Sequence, residues 1–192
     1  GKTVMAIAAA EKIKAKQVLV VCPASVRLGW RQEIAECLGS EGIAGWDIIS
    51  YNAACKDAVH AALDRTFDVI VLDEAHFLKT SESQRTQAIF GPGGLARRAR
   101  SIWCLTGSPV LNRSVELWPV LKTLHPAFAR MSYAQYTQKY CAAYFDGRGI
   151  NVRGASRLSE LSGHLRSFML RRTKREVLPQ LPPKIVSRVP LI

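Results

Sequence analysis

Three short stretches of this sequence carry side chains whose types and spacing suit phosphate chemistry. Gly1-Lys2-Thr3 matches the last three positions of the pattern G-x-x-x-x-G-K-[ST]. In such a loop the lysine ammonium reaches the β and γ phosphates of a nucleotide. The hydroxyl ligates Mg2+, and backbone amides at a helix N-terminus cradle the remaining charge. Three residues alone also read as a plain helix start in which Thr3 is a near-terminal polar residue. Asp73 and Glu74 close the apolar run FDVIVLD, and the carboxyl ends of parallel strands are where open sheets bind ligands. Asp73 is placed to hold Mg2+ through water, and Glu74 to orient and deprotonate an attacking water. Without the lysine loop the two acids would serve as a solvated cap on the next helix, favourable against its dipole. His76 reads either as a polar helix residue or as a link from this site to the third stretch, Leu105-Thr106-Gly107-Ser108-Pro109. The hydroxyls of Thr106 and Ser108 could bond the acidic loop and sense a γ phosphate; otherwise the stretch is a bare turn.

Such residues need elements to hold them. After the opening Gly-Lys-Thr, VMAIAAAEKIKA has helical spacing, and QVLVVCP is a short apolar strand stopped by Pro23. Val26, Trp30, Ile34 and Leu38 recur every four residues as one stripe of a helix. WDIISYN reads as a strand, AACKDAVHAALDR as a helix, FDVIVLDEA as a strand, residues 75–90 as polar helix and loop, and RSIWCLTGSP as a fourth strand. This alternation predicts an α/β fold, a parallel sheet with helices on both faces. Beyond it, Glu116–Leu124 has helical packing positions. Ser132 and Gln135 form a capping-box pattern for a helix to about Tyr144, DGRGINVRG reads as loop, and Leu158–Met169 as a last helix. The prolines of RRTKREVLPQLPPK mark a linker. The organisation read from this is one lobe over residues 1–178 and a linker over 179–192. A phosphate loop has a strand and further glycines before its Lys-Thr, so the lobe reads as truncated at its N-terminus.

Charge points to the partner. The net charge is +12, but residues 1–96 hold 10 Lys/Arg against 11 Asp/Glu, whereas residues 97–192 hold 17 against 4. A polyanion such as nucleic acid fits the basic half, with Arg97, Arg98 and Arg100 in one cluster and Arg148, Arg153 and Arg157 in another. Spread over a surface, the same arginines would only solubilise it. Five scattered cysteines suggest neither a disulfide framework nor a zinc site. No run reaches the roughly 18 apolar residues of a membrane span. Trp30, Trp46, Trp103 and Trp118 sit in apolar contexts that suit core packing better than base stacking.

Taken in order, GKT, VVCPASVRLGWRQEI, DIISYN, VIVLDEAH, LTGSP and LRSFMLRRTKREVLPQLPPK resemble the motif set of the Swi/Snf-type ATPases, a group of superfamily-two helicases. The wording PASVRLGW resembles annealing-helicase and bacterial or phage members more than the large remodellers. The resemblance implies a RecA-like P-loop NTPase lobe and an ATPase that uses ATP and Mg2+ to move on double-stranded DNA. By the same resemblance, Gly1, Lys2 and Thr3 bind phosphates, Thr3 and Asp73 hold Mg2+, and Glu74 completes the DEAH box. His76, Thr106, Gly107 and Ser108 couple the motifs. Pro23, Ala24 and Ser25, then Ser50, Tyr51 and Asn52, touch DNA; Arg97 and Arg98 are nucleic-acid-binding candidates by their charge rather than by the resemblance. Arg171, Arg172 and Lys174 lie near the hinge to a second RecA-like lobe and count among the expected nucleic-acid-binding residues. That lobe supplies an arginine worth about 10³ to 10⁵ in rate where such fingers are measured in GTPases, so this chain alone is expected to be nearly inactive.

The alternatives are an RNA helicase of the same superfamily, a restriction-type DNA translocase subunit, and a catalytically silent nucleic-acid docking module. The LTGSP and LPPK stretches disfavour the first. A bacterial or phage-encoded cytoplasmic protein is expected, nuclear if eukaryotic.

Overall fold

The computed structural model describes residues 1–107, 113–172, 176 and 180, and divides into two compact units, Gly1–Arg157 and Leu158–Ile192. In the first unit, helix α1 (Lys2–Lys12) leads to strand β1 (Val18–Cys22), and helix α2 (Arg27–Leu38) to β2 (Trp46–Ser50). Short helices α3 (Tyr51–Ala54) and α4 (Asp57–Ala62) precede β3 (Phe67–Asp73), and α5 (Gln84–Phe90) precedes β4 (Ala99–Leu105). The strands pair in the order β2-β1-β3-β4, all parallel.

The central strand forms where the sequence is apolar on both faces. All five residues of β1 are buried, as a central parallel strand requires. Alternate side chains then feed two cores. Val18, Val20 and Cys22 meet Ala6, Ile7 and Ala10 of α1 and Trp30 and Ile34 of α2. Leu19 and Val21 meet Tyr51 and Ala54 of α3 and Ile89 of α5 on the other face. The sheet therefore carries helices on both faces, as the sequence predicts for a RecA-like lobe.

Parallel register brings the strand ends together. Cys22 pairs with Ser50, and Asp73 with Leu105, so residues 23, 51, 74 and 106 all emerge at one edge. Polar bonds lock the opposite, amino edge. The Asp68 carboxylate accepts the backbone N–H groups of Lys16 and Gln17 at 2.8 and 3.0 Å. Those bonds, Gln17's foremost, hold its carboxyl below the usual aspartate range.

Several local expectations shift. The stripe on α2 begins at Trp30, because Ala24–Val26 is a 3-10 turn that leaves Val26 exposed. The helix expected from AACKDAVHAALDR is two helices broken at Cys55-Lys56. Residues 75–90 divide into a 3-10 turn, Ala75–Leu78, and α5, whose Ser83 cap accepts from the Thr86 N–H. After β4 come α6 (Trp118–Leu124), α7 (Pro126–Ala129) and α8 (Tyr133–Tyr140). The capping box of α8 is fully formed: Gln135 N–H donates to Ser132 Oγ, and Ser132 N–H to Gln135 Oε1. Tyr136 donates its hydroxyl to the Ser114 carbonyl at 2.7 Å within a cluster of Trp118, Phe128 and Tyr140. The expected loop DGRGINVRG contains half of a hairpin, β5 (Tyr144–Phe145) and β6 (Ile150–Asn151). Asp146 Oδ1 accepts from the N–H groups of Arg148 and Gly149, and Gly147 supplies a positive φ of 88° at the bend. The second unit holds helix α9 (Leu158–Arg166). No described helix is long and apolar enough to cross a membrane.

Candidate active site

The carboxyl edge of the sheet gathers the three stretches with chemical potential. Lys2 opens α1 behind Gly1, whose carbonyl accepts the Met5 N–H at 3.1 Å. The first turn of α1 has no acidic residue to offset the positive end of its dipole, a setting that favours an anion. Gly107, just past β4, lies against this lysine: a methyl group there would stand 3.8 Å from Lys2 Nζ. The phosphate-binding candidate and the third stretch are thus spatial neighbours, although 105 positions separate Lys2 from Gly107.

Asp73 ends β3 and is held from three directions. Its Oδ1 accepts the Glu74 N–H at 2.9 Å, and its Oδ2 accepts the indole N–H of Trp30, also at 2.9 Å. Its carbonyl accepts the Tyr51 hydroxyl at 2.8 Å. Each carboxylate oxygen keeps lone-pair capacity beyond its single N–H donor. With the Thr3 hydroxyl, Asp73 offers the hard oxygen donors that suit Mg2+, which takes one or two protein ligands and fills its shell with water and phosphate. The residues present therefore fit that ion.

Glu74 adopts φ 49° and ψ 51°, the left-handed region. A side chain other than Gly, Asn or Asp is costly there, and such strain collects at functional sites. His76 Nδ1 lies 3.1 Å from Glu74 Oε2 and 3.3 Å from Thr106 Oγ1. Its ring stacks on Phe77, with centroids 4.8 Å apart. The link from the acidic loop to the third stretch is thus present in the geometry, carried by one imidazole. Ser108 lies outside the described residues.

The two loops expected to touch nucleic acid converge beside this site. Pro23, Ala24, Ser50, Tyr51 and Asn52 line a cavity of about 120 Å³ together with Phe77 and Arg85. Ser25 is exposed next to it. A larger cavity of about 560 Å³ shares Asn52, Phe77 and Arg85 and extends over His76, Lys79 and Thr80. Within the second loop only Asn52 is well exposed. Ser50 is buried and caps α3 by accepting the Ala53 N–H. Tyr51 is 3% exposed, and burial pushes its phenol far above the usual range. The Tyr51 hydroxyl is engaged by Asp73 rather than turned to a ligand.

Two further candidates lie at the opposite edge of the sheet. Arg97 and Arg98 precede β4 and so belong to the amino edge, about 20 Å from the site by the rise of a seven-residue strand. Arg98 donates to the carbonyls of His60 and Leu63 at 2.7 and 2.9 Å, which makes it a strut between elements. Arg100 stands 3.4 Å from Asp68. Arg171 and Arg172 are exposed in the second unit, and Lys174 lies outside the described residues. Trp30 was legible as a core residue, and it is one at 2% exposure. Its bond to Asp73 had no local signal beyond the indole N–H, which seeks a partner when buried.

Residues 42–191 match the family model of the SNF2-related domain. The chain is 31% identical over 218 residues to the DNA annealing helicase and endonuclease ZRANB3 of Homo sapiens, covering 99% of this chain and 20% of that protein. It is 34% identical to the SWI/SNF-related matrix-associated actin-dependent regulator of chromatin subfamily A-like protein 1 of Drosophila melanogaster, over 96% of this chain and 26% of that protein. The fold matches the Sulfolobus solfataricus SWI2/SNF2 ATPase core in complex with dsDNA with a TM-score of 0.67 and 23% identity, covering 90% of this chain and 37% of that one. The chain thus spans about a fifth to a quarter of these curated relatives. Eight curated relatives at 30–34% identity are animal and fission-yeast proteins. That overturns the expectation of a bacterial or phage cytoplasm, which rested on the compactness of the lobe, a property that does not report the host.

Proposed function

The chain belongs to the SNF2-related family, and from that premise we propose that it is the ATP-binding lobe of a duplex-DNA-stimulated ATPase that couples hydrolysis to movement along DNA, of the remodelling or annealing type. Family membership implies ATP hydrolysis. The finer reading is supported foremost by the closeness of Lys2 to Gly107 at the edge where Asp73 and Glu74 emerge.

In this reading Lys2 and the amides at the start of α1 bind the β and γ phosphates, and Thr3 and Asp73 hold Mg2+. When bound, Mg2+ would supply positive charge against those phosphates. Glu74 orients the attacking water and takes its proton. His76 holds the Glu74 carboxylate on one side and Thr106 on the other, so the water-activating group and the turn beside Lys2 move together. The groove of Pro23, Ala24, Ser25, Ser50 and Asn52 takes the DNA backbone, where contacts position without reading sequence. Arg171, Arg172 and Lys174 form the basic stretch toward a second RecA-like lobe, whose arginine completes the site. Residues 1–178 then act as the lobe and 179–192 as the linker.

The test is ATP hydrolysis by the parent protein with no nucleic acid, single-stranded DNA, duplex DNA or duplex RNA, with Glu74→Gln as the blank. Stimulation by duplex DNA that disappears in the variant is the expected result. Preference for RNA would replace this reading with an RNA helicase, and inactivity with every partner would leave a docking module.

A further inference from the structure

Asp73 sits at the end of a strand, and a carboxylate there turns freely about two side-chain torsions unless something holds it. Trp30 supplies a rigid hold. Its indole is wedged in the core with Ile34, Val20 and Val71, so its single N–H is fixed in space, and that N–H meets Asp73 Oδ2 at 2.9 Å. Tyr51 acts one bond further along the chain. Its hydroxyl meets the Asp73 carbonyl at 2.8 Å, the peptide oxygen immediately before the left-handed turn at Glu74.

We infer that Trp30 and Tyr51 are the positioning residues of the acidic pair, Trp30 fixing the Asp73 carboxylate for Mg2+ and Tyr51 fixing the Asp73 backbone, from which that carboxylate projects and Glu74 departs. Both come from the segments that build the neighbouring groove. Trp30 lies on the helix that follows Pro23, Ala24 and Ser25, and Tyr51 lies between the groove residues Ser50 and Asn52. A displacement of either loop by a ligand is thereby passed to Asp73 through one hydrogen bond. The inference rests on the proposed metal role of Asp73.

The experiment is a Mg2+ titration of the binding of a fluorescently labelled ADP to the parent protein, carrying Trp30→Phe, Tyr51→Phe or Asp73→Asn, with melting temperature followed in parallel. Groups that orient metal ligands cost about 10–100-fold in metal affinity when removed. The Mg2+ concentration for half-maximal nucleotide binding should therefore rise by at least about tenfold in Trp30→Phe, and by a smaller factor in Tyr51→Phe. Nucleotide binding in EDTA separates this from a packing defect, which would weaken binding equally with and without Mg2+ and would overturn the inference. A stable Trp30→Phe protein with the unmodified Mg2+ requirement would also overturn it. If Trp30→Phe does not fold, Tyr51→Phe decides, since it removes one hydroxyl and keeps the ring; an unchanged requirement there overturns the inference. If Asp73→Asn itself leaves the requirement unchanged, the metal role of Asp73 fails and this inference with it. If Asp73→Asn raises the requirement and Trp30→Phe does not, the inference alone fails.

Discussion

His76 Nδ1 stands 3.1 Å from the Glu74 carboxylate and 3.3 Å from the Thr106 hydroxyl. One imidazole therefore spans the ends of two adjacent parallel strands. A general base that must face a water needs its carboxylate held at one angle, and a charge-assisted or neutral hydrogen bond at about 3 Å does this.

His76→Ala should lower kcat of the DNA-stimulated ATPase by about 10- to 100-fold with KM for ATP changed much less, because the lost contact orients the base rather than binding the nucleotide. Thr106→Val, which removes only the hydroxyl, should lower kcat by a smaller factor. Steady-state kinetics on the parent protein decide this. A rise in KM with kcat preserved would place His76 in nucleotide binding.

Lys2→Ala removes the ammonium at the start of α1. Hydrogen bonds to charged groups contribute about 1.5–3 kcal/mol, so the dissociation constant of the labelled nucleotide should rise by about 10- to 150-fold. Equilibrium binding measured by fluorescence anisotropy reads it directly.

Tyr136→Phe deletes the donor to the Ser114 carbonyl inside the aromatic cluster. The stranded buried acceptor should cost about 1–3 kcal/mol of unfolding free energy. Urea denaturation measures the loss, and the ATPase site at the sheet edge should be affected only through stability.

Asp68→Asn tests the amino edge by pH. The folded carboxyl lies below its ordinary value of 3.8, held there by the Gln17 and Lys16 N–H groups. A depressed folded value means that the ionised form stabilises the fold above the unfolded value and that this contribution disappears as pH falls through the folded one. The unmodified protein should therefore lose stability below about pH 4 more steeply than Asp68→Asn, whose acid limb should be flatter. Thermal melting from pH 7 down to pH 3 shows whether the two profiles converge.

Much of this site is written in local sequence. FDVIVLD announces a buried parallel strand that delivers Asp73 to a sheet edge, and Ser132 with Gln135 announces a helix start, since both depend on neighbours within a few positions. Two-residue strands such as Tyr144–Phe145 are too short to show alternation, so the hairpin was not legible. The engagement of Trp30 and Tyr51 with Asp73 crosses 43 and 22 positions, and no periodicity reports such a pairing. Arg98 shows what spacing leaves out: an arginine beside others looks like a phosphate contact, and its Nη1 bonds to two carbonyls are presented only by the folded chain.

Glu74 sets the fold at odds with its own durability. Holding a glutamate in the left-handed region costs about 1–2 kcal/mol that glycine would not incur. Any selection for heat resistance that ignores catalysis would thus be drawn to this position and would favour glycine or asparagine there. The hardiest variants would be those stripped of the group proposed to activate water.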